Sequence, residues 1–396
     1  MPNENLLSPQ PTGDSIGHRA PVALLGFRPG PGGIPRVMLD LIDGFQRWHV
    51  PVELLLPAGD YPDFTRLASG KPPCFPLSNG KPERAHQEIQ SYLAQRQPAA
   101  ILSNKERTSA LLADLREQGV ELPATWLRIG SDLREKIRRQ RFWRRAGYRA
   151  SLHRAYLAAD GLIANSAGVA ESIESLLSRT PAARKPPLRV IANPLNLTRV
   201  QALSKEPAPH PWLADAGAPV IIGMGRLVAV KDFQTLIRAF ARLRQHRRAR
   251  LILFGEGRQR SMLERLIRRL GLSEDIALPG FIANPFAALS RAALFVLSSR
   301  YEGSPNVLIE ALACATPCVA TDCRSGPRDI LEQGRLGPLV PVGHVDALAS
   351  AMARTLDAPL PADTLLHAAR RFDLDTSVTA YLEALGLRPE NADRPE

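Results

Sequence analysis

The chain has 396 residues, 44% hydrophobic and 23% charged, with a formal net charge of +12. Those proportions are ordinary for a globular protein, and the length favours two domains that each bury a core. No stretch approaches the roughly 18 uninterrupted apolar residues of a membrane span. The polar, Pro-rich opening MPNENLLSPQPTGDSIGHRA lacks the basic-then-apolar layout of a secretory signal, so residues 1–19 read as a disordered tail.

Along the chain, short apolar runs alternate with amphipathic stretches. Strands are predicted at 21–27, 52–58, 99–104, 124–130, 161–166 and 188–194, with helices near 34–48, 82–97, 105–119, 132–159 and 167–179 between them. After a Pro- and Ala-rich segment at 205–219, which reads as a linker, the alternation resumes. Strands are predicted at 219–225, 249–257, 276–281, 293–299, 317–323 and 337–343, with helices near 232–246, 258–272, 305–315, 327–333 and 344–358. Repeated βαβ units mean parallel sheets covered on both faces, here two doubly wound α/β domains at 20–204 and 220–360. Two further helices near 361–372 and 375–387 lie in the segment 361–396 and are placed to cross back onto the first domain.

Charge is unevenly spread. Nine basic residues fall between Arg134 and Arg154 against Glu135 alone, interleaved with Leu133, Ile137, Phe142, Trp143, Tyr148 and Leu152. Arginine among aromatics suits an anionic surface, and Arg138, Arg141, Trp143 and Arg145 are the candidates for an acceptor or membrane surface. The same composition would suit nucleic acid, but no recognised nucleic-acid-binding module is present. Of the four cysteines, Cys314, Cys318 and Cys323 cluster and Cys74 stands apart. That spacing fits neither a zinc site nor a secreted disulfide framework and reads as buried thiols in a reducing, cytoplasmic setting.

The most telling stretch is Arg300-Tyr301-Glu302-Gly303-Ser304-Pro305-Asn306-Val307-Leu308-Ile309-Glu310-Ala311. Ser304 reads as an N-cap and Pro305 as the first helical residue. Glu310 then falls within an apolar helix, where an unpartnered carboxylate costs several kcal/mol, so it needs a polar client or a structural arginine. The helix start offers free N–H groups to a phosphate. Upstream, Gly223-Met224-Gly225-Arg226 and Lys231 place two cations after the first strand of the second half, and Gly255 marks a close-approach turn after the second. Neither glycine turn completes G-x-G-x-x-G, and no Walker sequence occurs.

Gly225-Arg226-Leu227 with Lys231, Glu302-Gly303 with Glu310-Ala311, and Cys314-Ala315-Thr316-Pro317 resemble the retaining glycosyltransferases of family 4. The match is close over 215–345. It is looser through Gly30-Pro31-Gly32-Gly33-Ile34-Pro35-Arg36-Val37, Ile163-Ala164-Asn165-Ser166 and Ile191-Ala192-Asn193-Pro194.

The resemblance implies the GT-B fold, in which two Rossmann-like domains, an N-terminal acceptor domain and a C-terminal donor domain, face a cleft. It gives Arg226, Lys231 and Glu302 catalytic roles: the cations on the donor diphosphate, Glu302 on the donor sugar. It assigns Glu310 to the ribose hydroxyls and Asn306 and Val307 to the phosphates. Gly32, Gly33, Gly225, Gly255, Ile282 and Ser304 complete the donor site. Many family members carry a histidine on the fourth strand edge of the first domain; this chain has Arg128 and Ser131 in that run instead.

The implied activity is transfer from a nucleotide diphosphate sugar, a UDP-sugar foremost, to a saccharide or lipid-linked saccharide in cell-surface glycan synthesis. Retention of configuration, no cofactor, no metal, and work at the inner face of the cytoplasmic membrane are expected. The alternatives are a GT-B sugar-nucleotide epimerase and a non-catalytic protein that binds sugar nucleotides or anionic surfaces.

Overall fold

The computed structural model describes residues 20–387, apart from 28, 31, 58, 60, 62–63, 65–66, 68–69, 78–84 and 215–216. The expected tail 1–19 and the last residues, 388–396, lie outside the described residues. The first domain runs β1 (Val22–Leu25), α1 (Gly33–Arg47), β2 (Val52–Pro57), β3 (Cys74–Leu77), α2 (His86–Arg96), β4 (Ala100–Ser103), α3 (Glu106–Glu117), β5 (Ala124–Ile129), α4 (Leu133–Arg138), α5 (Phe142–Leu157), β6 (Gly161–Ala164), α6 (Ala167–Leu176) and β7 (Leu188–Val190). Next come α7 (Leu197–Ser204) and α8 (Pro211–Ala214). The second domain runs β8 (Val220–Met224), α9 (Phe233–Arg244), β9 (Arg250–Phe254), α10 (Arg260–Arg269), β10 (Ile276–Gly280), α11 (Phe286–Leu289), β11 (Leu294–Leu297), α12 (Asn306–Ala313), β12 (Cys318–Thr321), α13 (Pro327–Ile330), β13 (Leu339–Val340), α14 (Val345–Asp357) and α15 (Ala362–Ala369), and α16 (Leu374–Ala384) follows.

The first sheet has strand order β3-β2-β1-β4-β5-β6-β7 and the second β10-β9-β8-β11-β12-β13, with parallel pairing throughout. Central strands such as Val22–Leu25, Ala100–Ser103 and Leu294–Leu297 are buried at every position, as strands covered by helices on both faces must be. Strand order reverses between β1 and β4 and again between β8 and β11. Such switch points open a crevice at the C-terminal strand ends, and the loops carrying Gly32–Gly33 and Gly225–Lys231 emerge there.

Several elements differ from the sequence reading. Strand β3 carries no apolar signal because it is an edge strand with only Leu77 buried, and an edge tolerates Pro76. The single helix expected at 132–159 is two helices. A turn through Arg139 and Gln140 breaks it, and the Arg145 side chain donates to the carbonyls of Arg138 (2.7 Å) and Gln140 (3.1 Å) at that break. Helix α8 falls inside the segment read as a linker. Leu195 and Val200 join the core of the second domain, whereas Ile191 belongs to the first.

The last two helices part company. Helix α15 packs in the second core through Leu365 and Ala369, while α16 seats Leu374, Val378, Tyr381 and Leu382 in the first, against α1. Gly44 permits that approach, since a Cβ there would lie 2.2 Å from Val378 Cγ2. Gly44→Ala is therefore expected to destabilise the protein by about 1–3 kcal/mol through overpacking. Its urea midpoint should fall despite the better helix propensity of alanine; an unchanged midpoint would mean that α16 is not seated there.

Candidate active site

In the second domain, Gly255 closes its turn directly on the loop after β8. A Cβ there would stand 2.0 Å from the Gly225 carbonyl oxygen, and both glycines have positive φ (137° and 146°) that a side chain rarely adopts. The loop ends in a 3-10 turn, Ala229–Lys231. From it the Lys231 ammonium donates to Glu302 Oε1 at 2.6 Å, and Ser299 Oγ donates to the same oxygen at 2.6 Å. Ser298 Oγ, at the end of β11, holds the Lys231 carbonyl at 2.8 Å. Lys231 and Glu302 retain only 19% and 13% of their side-chain exposure, so the pair is largely withdrawn from water and each charge depends on the other. Arg226, on the same loop, is exposed and has no side-chain partner among the described residues.

Helix α12 starts one residue later than expected. Pro305 takes the N-cap position, with φ −74° and ψ 95°, and there is no side-chain cap, so Ser304 does not cap it. The Pro305 carbonyl accepts from Leu308 N–H. The N–H groups of Asn306 and Val307 are then the first free donors, because proline has none. Asn306 reaches the other domain: its Nδ2 donates to the Gly33 carbonyl at 3.1 Å and its Oδ1 accepts from Asn193 Nδ2 at 2.5 Å. Gly32 is exposed with φ 132°, and a Cβ on Gly33 would come within 3.1 Å of Asn306 Nδ2. Ile282 is half-buried after β10 and packs against the second core.

Glu310, one turn along α12, is buried, and its client is Arg36 of the first domain. Arg36 Nη1 donates to Glu310 Oε1 at 2.6 Å, and its guanidinium lies 5.6 Å from the centre of the Phe286 ring. The charge of Glu310 raises the Arg36 pKa above its ordinary value. The sequence offered a signal for this residue: a cation in the first turn of α1 opposes the helix dipole and calls for an acid nearby.

Asp40, one turn on from Arg36, is also buried. Burial pushes its carboxyl up to about 7; Arg199 and Arg36 oppose that, and Glu310 and Asp43 add to it. The folded protein therefore holds a proton between about pH 4 and pH 7 that the unfolded chain has released. Stability from this group should fall as pH rises across that window and level off above it. Asp40→Asn is expected to remove that slope and gain on the order of 2–4 kcal/mol over the parent at pH 8, with little difference at pH 4. Urea titrations of both proteins at the two pH values test this, and identical slopes would contradict it.

The domains meet across the cleft at several further points. A Cβ on Gly303 would lie 2.1 Å from the Gly130 carbonyl oxygen, Ser166 Oγ donates to the Gly303 carbonyl at 2.8 Å, and Ala167 N–H, at the start of α6, donates to Asp329 Oδ2 at 3.2 Å. Arg139 bonds the Tyr301 hydroxyl. Arg128 does not face the cleft. It is buried, with Nε on the Tyr381 hydroxyl (2.9 Å), Nη1 on Asn104 Oδ1 (2.8 Å) and Nη2 on Asn193 Oδ1 (2.5 Å). Side chains thus run without a break from α16 through Arg128 and Asn193 to Asn306 at the start of α12, a chain that sequence reasoning missed.

The basic segment forms a surface of its own. Phe142 and Trp143 open α5 with 76% and 60% exposure, their rings edge to face at 4.9 Å, and the Arg141 guanidinium lies over Trp143 at 5.3 Å. Arg138 pairs with Glu135 at 2.8 Å, and Arg145 is engaged at the helix break. Leu133 and Leu152, at the two ends of the segment, are buried in the first domain. Among the cysteines, Cys318 and Cys323 are buried and Cys314 half-buried, but Cys74 is exposed on the edge strand, contrary to its reading as a buried thiol.

Two Rossmann-like parallel-sheet domains, with a glycine-rich helix start on one facing a glycine-lined, charged strand edge on the other, define a GT-B protein. Solved structures agree on that fold: Anabaena HepE, crystallised with UDP-glucose, superposes with a TM-score of 0.74 at 21% identity over 92% of this chain and 99% of that one. The lipopolysaccharide outer core galactosyltransferase WaaB in its apo form gives 0.69 at 20% identity, over 92% and 99%. Residues 218–358 match the family described as Glycosyl transferases group 1, and the second domain belongs to it. The lipopolysaccharide core biosynthesis glycosyltransferase LpsE of Rhizobium meliloti (strain 1021) is 32% identical over 238 residues, 58% of this chain and 65% of that protein. The N-acetylgalactosamine-N,N'-diacetylbacillosaminyl-diphospho-undecaprenol 4-alpha-N-acetylgalactosaminyltransferase of Campylobacter jejuni is 36% identical over 137 residues, 35% and 37% of the two chains. The chain therefore spans between about a third and two thirds of the length of these curated relatives.

Proposed function

We propose that the chain is a retaining glycosyltransferase that moves a sugar from a UDP-sugar to a saccharide or lipid-linked saccharide in the synthesis of a cell-surface glycan. The observation that carries this is the Lys231–Glu302 pair, 2.6 Å apart at the strand edge after β11, on the chain that leads directly into α12. A diphosphate at the start of α12 meets the N–H groups of Asn306 and Val307 and the ammonium of Lys231, with the exposed Arg226 as the second cation. As the bond to the sugar breaks, negative charge grows on the departing nucleotide, and both cations stabilise it. Glu302, released from Lys231, accepts from sugar hydroxyls, and Glu310 accepts from the ribose. No side chain is assigned as nucleophile. The acceptor's proton passes to the leaving phosphate on the same face, which retains configuration. Arg226 and Lys231 fill the place of a metal, so EDTA leaves turnover unchanged.

The relatives named for lipopolysaccharide core synthesis and for a diphospho-undecaprenol acceptor support a glycan role. No helix among the described residues is long and apolar enough to cross a membrane. The exposed Phe142–Trp143 pair with Arg141 and its neighbours supports reversible docking of the first domain on the anionic inner face of the cytoplasmic membrane. Flotation with anionic vesicles at low salt, weakened at high salt and by replacing Phe142 and Trp143 with serine, is the expected result; no flotation at low salt removes this part of the reading.

Release of UDP from a panel of UDP-sugars, measured with and without candidate acceptors, tests the activity. Acceptor-dependent release supports transfer. Conversion of the donor sugar without release would indicate an epimerase, and binding without turnover a carrier.

A further inference from the structure

We propose that Arg36 is a positioning residue that reaches across the cleft to orient the Glu310 carboxylate for reading a nucleotide's ribose. The inference rests on the assignment of Glu310 to the ribose and adds to it a residue of the opposite domain. Three observations carry it. Arg36 sits in the first turn of α1, where a cation is disfavoured by about 0.3–1 kcal/mol, and no acidic residue shares that turn. Its guanidinium is spent on the second domain: Nη1 lies 2.6 Å from Glu310 Oε1 and the guanidinium carbon lies 5.6 Å from the centre of the Phe286 ring. Finally, the bond takes one carboxylate oxygen only. Among the described residues no donor is recorded on Glu310 Oε2, and the side chains of Arg36 and Glu310 keep 24% and 4% of their exposure.

The chemistry follows from that asymmetry. The bond anchors one oxygen and restricts the turning of the buried Glu310 carboxylate, so its second oxygen is the one open to accept. A vicinal diol is read well by such an acceptor, because each hydroxyl bond to a charged oxygen gains strength only when geometry is fixed beforehand. Arg36 and Glu310 line one crevice between the domains, together with Asn193, Asn306 and Ile309. Arg36 also lines a second cavity of about 190 Å³, with Arg199, Asn196, Asn284 and Phe286. The arginine thus stands as the wall of the nucleoside end of the site, and it does so only while the domains are apposed. Discrimination at the ribose is then a property of the closed protein rather than of the second domain alone.

The test is calorimetric titration of the full-length chain with UDP, GDP and ADP, each in its ribo and 2′-deoxyribo forms. The parent is expected to prefer the ribo form of its nucleotide by about tenfold, the worth of one charge-assisted hydrogen bond. Arg36→Gln should cut that preference to below about threefold while the deoxy form loses little affinity, and Arg36→Lys should restore part of it. A scaffold defect would instead weaken both forms alike, and thermal melting of each variant confirms that it is folded. A full ribo preference in Arg36→Gln, alongside a lost one in Glu310→Gln, overturns the role of Arg36 and leaves the ribose assignment standing. A full preference in both variants, or no binding of any nucleotide to the parent, overturns both.

Discussion

Lys231→Ala should lower kcat by roughly a hundredfold to a thousandfold while changing donor affinity by less than about tenfold. The reason lies in where the ammonium is engaged before substrate arrives. In the folded chain its charge is already spent on Glu302, 2.6 Å away, whose oxygen also accepts from Ser299. Ground-state binding must therefore break an existing bond to make a new one, and the exchange is nearly balanced. In the transition state the diphosphate carries more negative charge than it did in the donor, and the exchange then favours Lys231 strongly. The loss on substitution falls on turnover. Glu302→Gln should show the complementary pattern, since it frees Lys231 for the phosphate and removes a sugar contact. Single-turnover rates at saturating donor, set beside calorimetric affinities, separate the two quantities. A variant with normal kcat and only a raised KM would show that Lys231 merely binds.

The second large effect is on stability. Arg128→Leu should destabilise the protein by about 3–5 kcal/mol, the range for removing one member of a buried charged network. The substitution strands the Tyr381 hydroxyl, Asn104 Oδ1 and Asn193 Oδ1, each of which now accepts from the guanidinium. Tyr381→Phe removes one partner and should cost only about 1–2 kcal/mol. Because Asn193 also donates to Asn306, Arg128→Leu should weaken nucleotide binding as well, whereas Tyr381→Phe should not. Urea midpoints with nucleotide titrations check this. A loss below about 1 kcal/mol for Arg128→Leu would mean that solvent reaches these groups.

The two sheets were legible in the sequence because parallel strands buried on both faces read as short apolar runs, as in Val22–Leu25 and Leu294–Leu297. Edge strand β3 escaped because one buried leucine leaves no period to see. The break between α4 and α5 escaped because Arg139 and Gln140 are good helix formers, and the turn is held by a side chain five residues on. In the site, Glu302, Glu310 and Lys231 stood out as charges beside glycines or within apolar runs. For the partner of Glu310 the sequence holds only a cation in the first turn of α1 and not the acid it meets, because Arg36 lies 274 positions away and only the apposition of two domains joins them. Sequence distance hides Arg128 as well, since its three partners Asn104, Asn193 and Tyr381 come from three separate segments of the chain. Of the two cations read together, only Lys231 is paired in the structure, while Arg226 is exposed on its loop.

A crystal structure of the chain with bound UDP probes the central claim most directly. The β-phosphate should lie within hydrogen-bonding distance of Lys231 Nζ and of the Asn306 or Val307 N–H, with the ribose on Glu310 and the Lys231–Glu302 bond opened. A nucleotide bound elsewhere, with that bond intact, would contradict the account.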